Sequence, residues 1–124
     1  MTALLLLLLP CLPVYGGVAS WYGYGFHGQQ TASGLIYSEA GMTCACNSLP
    51  MGSLILVDCG GKPCLIRVTD TGAFGDGVSL DLSRAAFACL THGDTERGLL
   101  PVRYRVVGRD TQGMLYNTQG GIVL

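Results

Sequence analysis

Short apolar runs separated by glycine- and proline-containing turns recur along most of this chain. The clearest two are residues 54–57 and 65–68, which flank a turn with two adjacent glycines and a proline. Two runs of branched apolar residues around such a turn are typical of a β-hairpin. We therefore predict two antiparallel strands joined by residues 59–64.

The rest of the pattern predicts further strands and one helix. Residues 18–23, 78–82 and 102–107 have the pattern of strands, and the last run alternates apolar with basic residues. The period changes over residues 83–90, where alanines predominate, and this predicts a short helix capped by Asp81 or Ser83. The expected fold is mainly β with one short helix.

Composition limits the kinds of partner. The 124 residues are 49% hydrophobic and only 12% charged, with 19 glycines, which favours one turn-rich β domain. The net charge of −1 leaves no basic surface for nucleic acid or for an anionic membrane. An uncharged polymer such as a polysaccharide fits better. We expect a monomer that needs no cofactor and no metal.

The two ends of the chain differ from its middle. Residues 4–9 are six leucines followed by Pro10, which predicts a cleaved signal peptide over residues 1–16. This apolar stretch is shorter than the roughly 20 residues that span a bilayer, so we predict no membrane anchor. We assign residues 17–108 to the folded domain and residues 109–124 to a loose C-terminal tail. The domain should be secreted or periplasmic, within the cell envelope.

Six cysteines in so short a chain indicate an oxidising compartment. Cys59 and Cys64 lie at the two strand ends of the predicted hairpin, where a disulfide between them is natural. Cys46 or Cys44 could join the helix to the barrel by pairing with Cys89. Their spacings lack the two-residue separation of common zinc sites, so we predict no structural metal.

Six motifs in order along the chain resemble the RlpA-like double-psi β-barrel domain. They are ASWYG (19–23), FHG (26–28), TASG (31–34), LPMGS (49–53), RVTDTGAF (67–74) and LDLSRAA (80–86). The resemblance covers about residues 17–107. It implies a six-stranded double-psi β-barrel, shared with expansins, barwin-like proteins and one family of endoglucanases.

The resemblance also implies an activity. The family includes lytic transglycosylases, which cleave peptidoglycan glycan strands with a single general acid that later acts as base. The expected partner is therefore peptidoglycan or another cell-wall polysaccharide. The alternative is a non-catalytic, expansin-like module that binds or loosens wall polysaccharide, because one fold hosts both enzymes and binders.

Asp70, in the RVTDTGAF motif, is the candidate catalytic residue. Asp81 is either a second acid or a structural residue at the start of the helix. Aromatic side chains can stack on sugar rings and short polar side chains can bind sugar hydroxyls. On this basis the candidates for substrate contact are Trp21, Tyr22, Tyr24, His27, Thr31, Ser33 and Phe74.

Two positions depart from the family pattern. Leu35 stands where a glutamate usually follows TASG, and Cys46 stands where a histidine is frequent. Asp70 is then the lone acid unless a loop residue such as Glu39 or Asp76 reaches the groove. A lone acid suits transglycosylation better than hydrolysis, which uses two carboxylates.

Overall fold

Six strands close into a barrel in the computed structural model, which describes residues 12–23, 25–72, 74–75 and 77–115. The strands are β1 (Tyr15–Trp21), β2 (Thr43–Ala45), β3 (Ser53–Asp58), β4 (Cys64–Asp70), β5 (Leu80–Leu82) and β6 (Leu100–Arg109). The helix α1 (Arg84–Thr91) and a 3₁₀ turn (Thr95–Arg97) connect β5 to β6. The predicted six-stranded β-barrel is confirmed, as is the helix after the fifth strand.

The strand order around the barrel is β1-β5-β2-β4-β3-β6, and β6 closes onto β1. Two pairs are parallel, β1 with β5 and β2 with β4, and the other four are antiparallel. Among the described strands, only the predicted hairpin β3–β4 joins neighbours in the sequence. The barrel therefore closes only when distant parts of the chain have come together.

Alternate residues of β3 and β4 fill the barrel interior. Ile55 and Val57 of β3, with Ile66 and Val68 of β4, have no solvent-accessible surface. Phe87 of α1 is equally buried and packs on the same cluster, so the helix covers the core. Burying a side chain of this kind contributes about 1.5–3 kcal/mol, and packing is therefore what holds the helix on the barrel.

The helix begins at Ser83, one of the two predicted caps. The Ser83 Oγ accepts a hydrogen bond from the Ala86 N–H at 3.1 Å and donates one to the Gly41 carbonyl at 2.5 Å. This side chain thus ties the start of α1 to the segment that precedes β2. Asp81 lies within β5 and does not cap the helix, so that alternative was wrong.

The predicted disulfide between Cys59 and Cys64 was also wrong. Cys64 is bonded to Cys89 of α1, and Cys59 is a free thiol. The strand register explains the difference, because Val57 is the residue of β3 that faces Cys64. Cys59 lies beyond the last paired residue of that hairpin.

The predicted bond between Cys46 and Cys89 is likewise absent, as is its alternative with Cys44. Both Cys44 and Cys46 are fully buried free thiols on and just after β2. The Cys46 Sγ lies 3.4 Å from the Ser48 Oγ. The partner of Cys89 comes instead from the first residue of β4.

The ends of the domain extend further than the sequence indicates. β1 begins at Tyr15, whose ring stacks on Tyr104 with centroids 5.5 Å apart. Residues 110–115, expected in a loose tail, pack on the barrel: the Leu115 N–H donates to the Ser33 carbonyl and Met114 is buried. Residues 1–11 of the predicted signal peptide and residues 116–124 lie outside the described residues. Within the described ranges, no helix is long and apolar enough to cross a membrane.

Gly52 is a position where only glycine fits. Its φ is +88°, and a Cβ there would lie 2.8 Å from the Asp110 carbonyl oxygen. Gly28 has nearly the same φ, +87°, but a Cβ there would meet nothing within 4 Å. We expect Gly28→Ala to lower the free energy of unfolding by about 1–2 kcal/mol through backbone strain alone.

Gly52→Ala should lower the free energy of unfolding by about 1–3 kcal/mol more than Gly28→Ala does, because the added methyl group overlaps the backbone after β6. Urea unfolding of the two variants measures the difference. Equal losses would show that residues 110–115 move aside without cost and do not constrain the barrel.

Candidate active site

Three neighbouring strands bring two carboxylates to one end of the barrel. β2 lies between β4 and β5, and its last residue, Ala45, pairs with Asp70 on one side and Asp81 on the other. All three residues line one open cleft of about 160 Å³. Because adjacent strands are about 4.8 Å apart, the two aspartate Cα atoms are roughly 10 Å apart. Ala45, with a single methyl group as its side chain, is the residue of β2 between them.

Asp81 is half-buried and holds its proton to a higher pH than an ordinary aspartate. Burial raises the pKa of Asp81, the hydrogen bond from Ser20 opposes this rise, and the nearby Asp70 carboxylate adds to it. The Ser20 Oγ donates to the Asp81 Oδ1 at 3.0 Å because β1 and β5 pair these residues in register. A carboxyl that remains protonated in a cleft has the property that a general acid requires.

Asp70 is fixed by three hydrogen-bond donors. Its Oδ1 accepts from the backbone N–H groups of Ala32 at 2.8 Å and Thr71 at 2.9 Å, and its Oδ2 accepts from the Tyr22 hydroxyl at 2.9 Å. These three donors match the acceptor-only character of an ionised carboxylate. Asp70 therefore presents a negatively charged acceptor of fixed orientation to the cleft.

Tyr22 reaches the acid from the end of β1 across Ala45. Its ring stacks on Tyr37 with centroids 4.5 Å apart and meets the edge of Phe26 at 5.7 Å. Burial, together with the adjacent Asp70 carboxylate, raises the pKa of Tyr22 far above its ordinary value. The Tyr22 hydroxyl is thus a permanent donor to Asp70.

The TASG segment holds Asp70 from behind the cleft. Thr31 and Ser33 are buried; their hydroxyl oxygens are 2.8 Å apart, and the Ser33 N–H donates to the Thr69 carbonyl of β4. This attachment places the Ala32 N–H against Asp70. Both hydroxyls are buried and support the loop beside Asp70, and contact of Thr31 or Ser33 with substrate stays a prediction.

Asn47 fixes the loop that follows Asp70. Its side-chain amide donates to the Gly72 carbonyl at 2.7 Å and accepts from the Gly72 N–H at 3.0 Å. The two bonds pin the chain two residues after the acid. No motif in the sequence singles out Asn47, because its role depends on a partner that is 25 residues away.

The structure brings four of the predicted site residues together and separates others from them. Tyr22, Asp70, Phe74 and Asp81 line the cleft. Trp21 does not, because the alternation of β1 turns its ring towards Phe87, and its Nε1 donates to the Thr95 carbonyl at 2.8 Å. Trp21 therefore lies outside this cleft, and its contact with substrate stays a prediction.

His27 and Glu39 lie away from the acids. His27 is exposed, and its Nδ1 accepts the Glu39 N–H at 3.1 Å, so it braces a loop and does not line the cleft. Glu39 lies beside α1, where its carbonyl accepts the Ala85 N–H. Tyr24 and Asp76 lie outside the described residues. The second acid in the cleft is consequently Asp81, not Glu39.

Leu35 does not leave a gap in the cleft. Its side chain lies against Gly113, where a Cβ would meet the Leu35 Cδ2 at 3.1 Å. Its backbone holds the TASG segment, since the Leu35 carbonyl accepts from both the N–H and the hydroxyl of Thr31. The leucine thus attaches the C-terminal segment to the loop that supports Asp70.

Sequence reasoning missed Phe26 and Ala45, which both line the cleft. The FHG motif was a signal for Phe26, an exposed aromatic beside the acids. The sequence contains no such signal for Ala45, because its role is to occupy little space between two aspartates that are distant along the chain. As for metals, no three His, Cys, Asp or Glu side chains within the described ranges converge as ligands.

The closed barrel with its two parallel pairs, together with paired carboxylates at one end, defines this chain as a double-psi β-barrel domain. The profile of a double-psi β-barrel family described as lytic transglycolase matches residues 14–104. The chain belongs to this family.

Curated relatives carry one name. The chain is 36% identical over 94 residues to the endolytic peptidoglycan transglycosylase RlpA of Campylobacter jejuni, covering 74% of this chain and 34% of that protein. It is 42% identical over 96 residues to the protein of the same name in Vibrio cholerae, covering 76% of this chain and 36% of that protein. The chain thus spans about a third of the length of these relatives.

Solved structures share the fold at lower identity. An expansin from Clavibacter michiganensis has a TM-score of 0.61 at 22% identity, covering 77% of this chain and 51% of that one. The Streptomyces papain inhibitor has a TM-score of 0.62 at 23% identity, covering 77% and 96%. These similarities show the fold alone.

The raised pKa of Asp81 makes a prediction about stability. As pH rises above the ordinary value of 3.8, the unfolded chain ionises Asp81 before the folded protein does, so ionisation favours unfolding. We expect Asp81→Asn to be more stable than the wild type at pH 7, with the difference disappearing below pH 3.8. Urea unfolding across pH 3–8 measures this.

Asp58→Asn is the matched control of opposite sign. The Gly60 N–H and Arg103 lower the pKa of Asp58, so its ionisation favours the folded state. This variant should be less stable at pH 7, with the loss vanishing as pH falls through the lowered pKa. Destabilisation by Asp81→Asn at pH 7 would refute the assigned environment of Asp81.

Proposed function

We propose that this domain cleaves the glycan strands of peptidoglycan as a lytic transglycosylase. The observation that carries the proposal is the row Asp70–Ala45–Asp81, which places two carboxyl groups in one cleft and gives one of them, Asp81, a raised pKa. The name shared by the curated relatives supports this substrate and reaction. Such a substrate implies that the domain works outside the cytoplasm, as a secreted or periplasmic protein.

Asp81 acts as the general acid. Burial raises its pKa, and in its protonated form it gives the proton to the glycosidic oxygen as the bond from that oxygen to the anomeric carbon breaks. The sugar then carries developing positive charge, which the Asp70 carboxylate stabilises across the cleft. This division of labour differs from the sequence prediction, in which Asp70 alone served as acid and base.

Asp70 then acts as the base. It accepts a proton from the hydroxyl of the same sugar as that oxygen attacks the anomeric carbon and closes the anhydro ring. Afterwards Asp70 is protonated and Asp81 is ionised, and proton exchange with water restores both. Two carboxylates also permit hydrolysis if water attacks instead. Exclusion of water by the bound glycan therefore decides between the two products.

Two aromatic rings flank the acids. Phe26 is 46% exposed and Phe74 is partly exposed, and both line the cleft. Exposed ring faces bind the apolar faces of sugars by stacking. We propose that they hold the strand across the Asp70–Asp81 row.

Loss of either acid should abolish turnover while binding persists. We expect Asp70→Asn and Asp81→Asn each to lower kcat/KM on purified peptidoglycan by about 10²–10⁴, the range for an acid or base group. Asp110→Asn is the control, since Asp110 pairs with Arg67 and does not line the cleft. Mass spectrometry of the released fragments gives both rate and product.

Each product has a distinct meaning. Anhydro ends support transglycosylation, whereas reducing ends, heavier by one water, would replace it with hydrolysis. The opposite outcome has two parts: the protein releases no product between pH 4 and 8, yet it sediments saturably with peptidoglycan, and Asp70→Asn sediments equally well. Together these results would refute the proposed enzymatic activity and establish the expansin-like alternative.

Tyr22 should act as a positioning residue. Tyr22→Phe removes one donor from Asp70 and keeps the stack on Tyr37, so we expect kcat to fall about 10- to 100-fold with little change in KM. Tyr37→Phe is the matched control, because the Tyr37 hydroxyl accepts from the Arg84 N–H and does not touch Asp70. Equal loss of kcat in the two variants would show that the stack matters and the hydroxyl does not.

A further inference from the structure

Three cysteines meet at the end of the barrel opposite the acids. Cys59, Cys64 and Cys89 all line one cavity of about 430 Å³ between the β3–β4 turn and the end of α1. β4 starts at Cys64 and ends at Asp70, so about 20 Å of strand separates this cavity from the acids. None of the chemistry proposed for the acids uses these sulfur atoms.

The disulfide in this cavity is within reach of a thiol. Cys64 is bonded to Cys89, and Cys89 is exposed to solvent. Cys59 is a partly exposed free thiol whose Sγ donates to the carbonyl of Leu90, the residue next to Cys89, at 3.3 Å. A nucleophile, an electrophilic disulfide and an open cavity are therefore adjacent.

The hairpin geometry favours Cys64 as the sulfur that Cys59 attacks. Val57 faces Cys64, and Cys59 is two residues further along, so alternation places Cys59 and Cys64 on the same face as diagonal neighbours. Cys59 lies past the end of β3, next to Gly60 and Gly61, where no strand pairing holds the backbone. The turn can therefore close the remaining distance.

Charged side chains lie near these sulfur atoms. Lys62 and Arg97 line the cavity with the three cysteines. The Asp58 carboxylate precedes Cys59 and lines a neighbouring pocket with it, and its Oδ1 accepts the Gly60 N–H at 3.0 Å. The thiolate of Cys59 is the attacking form, and Cys89, an exposed residue, supplies the leaving sulfur.

We propose that Cys59, Cys64 and Cys89 form a thiol–disulfide exchange site in which Cys59 attacks the Sγ of Cys64. The Cys59–Cys64 bond forms as the Cys64–Cys89 bond breaks, and the electron pair of the broken bond leaves on Cys89. The proton lost from Cys59 passes through water to Cys89. No oxidant or reductant is consumed, because one disulfide replaces another.

Exchange changes what the disulfide holds together. The Cys64–Cys89 bond joins β4 to α1 across 25 residues, whereas a Cys59–Cys64 bond closes only the hairpin turn. After exchange no disulfide joins α1 to the barrel; the packing of Phe87 and the hydrogen bonds at the start of the helix still hold it, and Cys89 is a free thiol. That thiol can attack an external disulfide compound, forming a mixed disulfide with one half of the compound and releasing the other half as a thiol.

Peptide mapping of the 124-residue chain tests the exchange directly. Cleavage before aspartate separates residues 58–69, which hold Cys59 and Cys64, from residues 81–93, which hold Cys89. The protein is incubated at pH 8 for hours, acidified, alkylated and digested. The starting Cys64–Cys89 bond gives peptide 58–69 joined by a disulfide to peptide 81–93, with Cys59 alkylated. An internal bond in 58–69 with alkylated Cys89 reports the exchanged form.

We expect the exchanged form to appear at pH 8, with Cys89 alkylation equal to the loss of Cys59 alkylation. The rate should rise with pH as the thiolate fraction rises. Cys59→Ser should reduce Cys89 alkylation at least about tenfold, whereas Cys46→Ser, which removes a buried thiol elsewhere, should leave it unchanged. If Cys59→Ser does not fold, wild-type protein alkylated at Cys59 beforehand replaces it.

Two results would overturn the proposal. The first is that, after hours at pH 8, Cys59 is still alkylated in full and Cys89 is not alkylated at all. This result would exclude exchange, because even uncatalysed disulfide rearrangement takes only minutes to hours. The second is a bond between Cys59 and Cys89 with alkylated Cys64, identified by fragmentation of the linked peptides. That product would make Cys89 the attacked sulfur.

Discussion

The position of β2 is the constraint on which the site depends. This strand has three residues, yet it pairs in parallel with β4 and antiparallel with β5. Through it, Asp70 and Asp81 become neighbours of the same alanine. Asp70 ends β4 and Asp81 is the middle residue of β5. Without β2 these two strands would not be joined, and the Asp70 carboxylate would not add to the raised pKa of Asp81. The smallness of Ala45 and the shortness of β2 are thus functional properties.

Local signals in the sequence were sufficient for the elements that local chemistry controls. The hairpin, the Ser83 cap and the alternating β6 follow from turn residues, a side-chain oxygen and a two-residue period. β2 was missed because three residues are too few for a period to be visible. The disulfides were mispaired because a shift of two residues in register, invisible in the sequence, replaced Cys59 with Val57 opposite Cys64.

In the site, too, some features follow from local sequence and others only from the tertiary structure. The motif around Asp70 pointed to one acid, but the donors that fix this acid come from three separate motifs: Tyr22 from ASWYG, Ala32 from TASG and Thr71 from RVTDTGAF. The environment of Asp81 is purely tertiary, since its burial and its Ser20 partner come from strands 61 residues apart. A sequence can show that an aspartate is present, but only the assembled barrel shows that burial raises its pKa.

The β3–β4 hairpin is the one local strand pairing in the described part of the chain, and this affects how the protein folds. Non-local pairings form late, because the entropy of closing long loops is lost before their contacts form. The hairpin can therefore form first, bringing Cys59 and Cys64 together while Cys89 is still far from both. The Cys64–Cys89 bond of the finished barrel links this local hairpin to a helix 25 residues further along the chain, and it therefore depends on contacts that form later than the hairpin.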